Sequence, residues 1–111
     1  SHKIFPMSLA QVYTAVVMTL GKAQRELHLE ELELFASHIF QQHYSTSPEA
    51  SNDYMFTSAL DSAILELTFQ NVLTFYPDGP YTYYHLTGYG QERYKQLQFS
   101  SAQREQKRRE L

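Results

Sequence analysis

Residues 71–97 read NVLTFYPDGPYTYYHLTGYGQERYKQL, and this stretch restricts the fold more than any other. Two β-prone runs, 72–76 and 81–86, rich in Val, Phe, Tyr and Thr, flank Pro77, Asp78, Gly79 and Pro80. Such runs around a Pro/Gly cluster form an antiparallel hairpin. Pro80 has no N–H, so a tight Asp-Gly turn would lack its closing hydrogen bond, and a longer loop over 77–80 is expected. That register sets Tyr76 opposite Tyr81, Phe75 opposite Thr82, Thr74 opposite Tyr83, Leu73 opposite Tyr84 and Val72 opposite His85. Side chains alternate along a strand, so Leu73, Phe75, Tyr84 and Leu86 should point to a core. Tyr76, Tyr81, Tyr83 and His85 should point outward with Val72 and Thr74.

Three apolar helical segments precede the hairpin. Leu9, Val12, Tyr13, Val16, Val17 and Leu20 recur at helical spacing after Ser8, an N-cap residue, which predicts a helix over 9–20 that stops at Gly21. Residues 22–28 are polar and should turn the chain. Leu32, Phe35, Ala36, Ile39, Phe40 and His43 share a face, which predicts a second helix over 29–44. Glu30, Glu31 and Glu33 fall in its first turns, where negative charge suits the helix dipole. They read as a solvated helix start rather than a docking patch. STSPEASN, at 45–52, reads as a loop. A third helix should run from Asp53 to residue 69 or 70, with Phe56, Leu60, Ala63, Ile64 and Leu67 inward. Leu65 and Phe69 lie to one side of that stripe and are surplus to a one-sided core. After the hairpin, Thr87 should cap a helix over 89–99 with Tyr94 and Leu97 inward. Ser100 and Ser101 mark its expected end. The fold class is therefore α+β and mainly helical, with one domain over 1–99 and a basic polar tail over 100–111, helical or disordered.

At 111 residues with 42% hydrophobic content, such a chain can bury a modest core without staples. Cysteine is absent, which removes disulfides and thiolate metal ligands and fits a cytoplasmic protein. Apolar runs are far too short to span a bilayer, and no basic-then-apolar leader opens the sequence. The net charge of −3 hides an asymmetry. Residues 1–90 carry three Lys/Arg against nine Asp/Glu, and residues 91–111 carry six against three. An acidic body is a poor match to a phosphate backbone except through its basic end.

The run Tyr84, His85, Leu86, Thr87, Gly88, Tyr89, Gly90 resembles the end of the wing in winged-helix regulators of the PadR and MarR type. Those proteins often show a tyrosine, then Leu-Thr, then a glycine three positions after the threonine. The order of three helices, a two-stranded hairpin and a last helix is similar to that of the superfamily. The resemblance implies that Leu86 closes the core, Thr87 caps the next helix and Gly90 lies in its first turn. It also implies a DNA-reading third helix. The chain departs there: that segment carries Asp61 and Glu66 and no Lys or Arg, and residues 72–86 contain none either.

Motifs for catalysis are absent. His38 and His43 are five apart, which does not stack them on one helix face, and His28 and His85 belong to no HExxH-like pattern. No serine sits in GxSxG, and Gly88 and Gly90 fit a helix start better than a phosphate loop. No enzyme activity, cofactor, metal or small-molecule ligand is expected. The expected role is a regulatory interaction module that binds a protein partner, or a second copy as a homodimer, through Leu65, Phe69, Tyr76, Tyr81 and Tyr83. Tyrosine is enriched and lysine depleted at protein interfaces. The alternative is a DNA-binding transcriptional regulator using Arg93, Lys95, Arg104, Lys107, Arg108 and Arg109.

Overall fold

The computed structural model describes residues 8–44 and 53–110, with the backbone alone for 53, 54 and 101–110. Residues 1–7, among them Ile4, Phe5 and Pro6, expected as a short extended lead-in, and the loop expected at 45–52 lie outside the described residues. The elements run α1 (Leu9–Ala23), β1 (Leu27–His28), α2 (Leu29–Tyr44), α3 (Asp53–Phe69), β2 (Leu73–Asp78), β3 (Tyr81–Leu86) and α4 (Gly88–Glu110). The apolar stripes of α1, α2 and α3 meet in one core. Val12, Val16, Val17, Leu20, Leu32, Ala36, Ile39, Phe40, Phe56, Leu60, Ala63, Ile64 and Leu67 are all buried in it. The edges of two stripes stay out of it: Leu9 of α1 and Phe35 and His43 of α2 are exposed.

Each helix end has its own cause. Ser8 stands at the start of α1 in an extended conformation, but its side chain makes no capping hydrogen bond. The expected stop at Gly21 does not occur, and α1 continues to Ala23. Glycine is needed there for packing, because a Cβ on Gly21 would clash with the Tyr94 ring of α4. The left-handed residue that ends the helix is Gln24, at φ 55°, whose N–H donates to the Leu20 carbonyl at 3.3 Å. This is the single-bond αL ending normally given to glycine. α3 ends in a Schellman motif. Asn71, at φ 64°, donates its N–H to Thr68, and the Val72 N–H reaches back to the Leu67 carbonyl at 2.9 Å.

That ending corrects the placement of Val72. It is fully buried rather than outward, since the motif folds it back against the core beside Leu67. Residues 22–28 do more than turn the chain. Leu27 pairs with Tyr84 and His28 with Tyr83, so the expected two-stranded hairpin is a three-stranded antiparallel sheet in the order β1-β3-β2.

The hairpin register differs from expectation by two residues. Leu73 pairs with Leu86, Thr74 with His85, Phe75 with Tyr84, Tyr76 with Tyr83, Pro77 with Thr82 and Asp78 with Tyr81. The turn is only Gly79-Pro80. Gly79 takes φ +62° without a Cβ penalty. Pro80 fills the second turn position, whose N–H is not used in closing a two-residue loop. A slip of two keeps the side chains of β2 and β3 on the faces expected of them; Val72, which precedes β2, is the exception described above. Leu73 and Leu86 are buried and Tyr84 half-buried, as that face requires, but Phe75 is 51% exposed. Phe75 lies farther toward the turn than Leu73, and from Phe75 to Asp78 the strand is exposed throughout.

Thr87 joins the end of α3 to the start of α4. Its Oγ1 accepts the Gly90 N–H at 3.0 Å, the capping bond expected of an N-cap threonine. Its backbone N–H donates to the Val72 carbonyl at 3.0 Å, and its hydroxyl donates to the Asn71 carbonyl at 2.6 Å. Gly90 is buried against this junction, and a Cβ there would strike the Val72 carbonyl oxygen. α4 shows no break at Ser100 or Ser101 and runs 23 residues, about 34 Å at 1.5 Å per residue. Serine lowers helix propensity only slightly, so it does not stop a helix by itself. The architecture is α+β and mainly helical, compatible with a winged-helix-like topology. No helix among the described residues is long and apolar enough to cross a membrane.

Candidate functional site

Strand alternation and the β1 pairing together put five aromatic rings on the outer face of the sheet. His28 stacks on Tyr81 with ring centroids 4.9 Å apart. Tyr83 meets His28 edge-on at 6.1 Å and Tyr81 at 6.3 Å. Tyr76 stacks on its cross-strand partner Tyr83 at 5.8 Å and touches His85 at 6.2 Å. The rings form one ladder across three strands. Tyr76 remains 39% exposed and Tyr81 47% exposed, while His28, Tyr83 and His85 are half-buried.

The ladder is framed by carboxylates. The Tyr76 hydroxyl donates to Glu26 Oε1 at 3.3 Å. Asp78, two residues beyond Tyr76 and paired with Tyr81, shares the outer face. Partial loss of water, and then the Glu26 and Asp78 charges, hold the Tyr76 hydroxyl above its ordinary pKa. Arg25 is the neighbouring cation, and Glu31 engages it through bonds of 3.4 and 3.2 Å. Arg25 pulls the Glu31 carboxyl below the usual range against some desolvation, and the His28 N–H, donated at 3.3 Å, helps. Glu31 also donates its own N–H to His28 Nδ1 at 3.5 Å. His28 and Glu31 thus form a reciprocal cap at the start of α2, which fixes the His28 ring at the end of the ladder. Beyond His85 the face runs into an open groove of about 490 Å³, lined by Gln24, Arg25, Glu26, Gln91, Tyr94 and Lys95 among others.

The candidate residues divide into separate groups. Tyr76, Tyr81 and Tyr83 lie together in the ladder. Leu65 and Phe69 are 74% and 87% exposed on α3 and belong to no ring contact among the described residues. α3 lies toward the other face of the sheet: Tyr84 points that way, and burial and then the Asp61 charge of α3 raise its hydroxyl pKa. Of the basic candidates, Arg93 donates to the Tyr89 hydroxyl at 3.2 Å and lies over that ring. Lys95 pairs with Glu92 at 3.4 Å, both exposed. The side chains of Arg104, Lys107, Arg108 and Arg109 lie outside the described residues, on a helical backbone.

Sequence reasoning missed His28, Glu26 and Asp78 as parts of this face. A strand of two residues leaves no periodic signal, so nothing marked residues 27–28 as an edge of the sheet. His28 and Glu31 do have the spacing of a capping box, but with histidine in place of serine or threonine. Among the described residues no group of three or more His, Asp or Glu side chains is arranged to hold a metal ion. No protein-family model, curated protein or solved structure matches the chain.

Proposed function

We propose that this chain is a non-enzymatic interaction module of winged-helix type that binds protein, either a partner or a second copy, through its tyrosine-rich wing. One observation carries the reading: a five-ring ladder lies open on a sheet face, framed by carboxylates. Aromatic side chains concentrate binding energy at interfaces, because they cover much area at little cost in rotamer freedom. Leu65 and Phe69 offer a second apolar patch on α3, which suits a partner that reaches around the sheet or a separate contact. Alanine at Tyr76, Tyr81 or Tyr83 tests the reading. Each cross-strand contact is worth about 0.2–1 kcal/mol, so these variants should stay folded while losing self-association in sedimentation or capture by a partner. Equal loss of folding in all three makes the tyrosines structural and ends the proposal.

The resemblance to PadR- and MarR-type wings supports a second reading, a DNA-binding regulator. Leu86, Thr87 and Gly90 occupy the positions which that resemblance implies, and the basic end of α4 continues as helix. Binding would then rest on the cations of α4, since α3 offers Asp61 and Glu66. A gel shift on duplex DNA at low and moderate salt, with the full chain and with a chain ending at Ser100, separates the two. Salt-sensitive binding that disappears with the basic end favours DNA. No shift at low salt favours protein.

A further inference from the structure

We infer that the ring ladder receives an extended segment of a partner protein bearing arginine side chains, which lie on the tyrosine rings and pair with Glu26 and Asp78. This rests on the protein-binding reading and names the chemistry of its partner. Charge complementarity is the first argument. Two carboxylates flank the ladder, and neither has an ion pair among the described residues. Arg25, which stands beside Glu26, is taken by Glu31 and donates to the Glu26 backbone carbonyl at 3.1 Å instead. The face therefore carries uncompensated negative charge next to exposed π-systems. Both features attract a cation, and they do so at the same place.

The second argument is shape. A planar guanidinium stacks on a tyrosine ring and still directs N–H donors sideways to a carboxylate, which a lysine ammonium cannot do. Tyr76 and Asp78 stand two residues apart on β2, on one face. That is the same-face spacing of any extended chain, about 7 Å. Alternate side chains of an extended segment would thus meet Tyr76 and Asp78 in step. The segment must lie over the face along β2 rather than pair with the β2 edge. Pro77 sits within that edge strand without an N–H, which interrupts any ladder built on it.

The test uses the full chain at about 0.15 M salt, and fluorescence anisotropy of a labelled peptide of alternating arginine and threonine. Its partners are the same peptide with citrulline, a neutral isostere, and with lysine. The arginine peptide should bind, citrulline should weaken it about tenfold or more, and lysine should fall between. The pair Glu26→Gln and Asp78→Asn should weaken the arginine peptide by a similar factor. The pair Asp61→Asn and Glu66→Gln, which removes the same charge from α3, should not. Tyr76→Ala and Tyr83→Ala should abolish binding, and Tyr76→Phe should retain it.

If citrulline binds as well as arginine and the alanine variants lose both, the face binds protein but the cation assignment is overturned. If the α3 pair weakens binding as much as the Glu26/Asp78 pair, only net charge is at work and the site is overturned. If the alanine variants bind everything as the parent does, both this inference and the underlying function fail. Dimers in sedimentation that the peptide dissolves would assign the face to a second copy and overturn the separate partner.

Discussion

Gly88 and Gly90 open the same helical turn, yet the same substitution should act on them with opposite sign. An alanine Cβ at Gly90 would strike the Val72 carbonyl oxygen and come within 3.1 Å of Leu86 Cβ. Val72 cannot retreat easily, because it is fully buried and its N–H is tied to Leu67. The strain must instead open the junction, where the Thr87 N–H meets Val72 and the Thr87 hydroxyl caps Gly90. Losing the cap costs about 1 kcal/mol, overpacking about 1–3, and alanine's better helix propensity returns about 1. Gly90→Ala should therefore destabilise the chain by roughly 1–3 kcal/mol. At Gly88 nothing lies within 4 Å of the added Cβ, so Gly88→Ala should be neutral or stabilise by up to about 0.5 kcal/mol. Urea unfolding followed by far-UV circular dichroism measures both, with unchanged slopes required for the comparison. A Gly90→Ala chain as stable as its parent, or a Gly88→Ala chain that loses as much, would refute the junction as described.

Thr87→Ala should cost about 1–2 kcal/mol in the same assay, because the cap and the bond to Asn71 go together, whereas Thr87→Ser should restore most of it. Gln24→Gly should stabilise by about 0.5–1 kcal/mol, since Gln24 sits at positive φ in the αL ending of α1; a loss of stability on thermal melting would contradict that geometry. The Glu31 carboxyl is held below its ordinary pKa chiefly by Arg25. Its contribution is thus complete above the usual carboxylate range and is lost as pH falls through its lowered value. The stability of Glu31→Gln, measured across that acid range, should fall less with pH than the parent's.

The parts of the fold legible in sequence were those with a repeat or a strong local rule. The α2 bounds follow from Leu32, Ala36, Ile39 and Phe40 recurring on one face, and the Thr87 cap was readable because that bond, from the Gly90 N–H, is local. Three features were not legible, each for a non-local reason. Gly21 resembles a helix stop until the Tyr94 ring is seen to need its space, from more than seventy residues away. Val72 belongs to a strand by composition, but the Asn71 left-handed turn places it in the core. The hairpin register depended on whether Pro80 must donate, and in a two-residue turn opened by Gly79 it need not. The slip cost nothing in face assignment, which is why the outer tyrosines could be identified while their partners were wrong.

The corrected register changes the character of the face. Opposite Tyr81, Tyr76 would have left Asp78 within a loop. Opposite Tyr83, it makes the central stacked pair and brings Asp78 into the strand beside Tyr81. β1 then adds His28 on one side, and Glu26 approaches the Tyr76 hydroxyl. An aromatic ladder alone would suit nucleic acid or protein, since every base offers a π-face. Single-strand platforms also need a positive groove along the backbone, and here the charges at the ladder are Glu26 and Asp78, with Arg25 committed to Glu31. A phosphate chain laid on these rings would meet two carboxylates where it needs cations. The same carboxylates favour a partner segment that carries cations of its own, so charge decides between two ligands that the rings alone would accept equally.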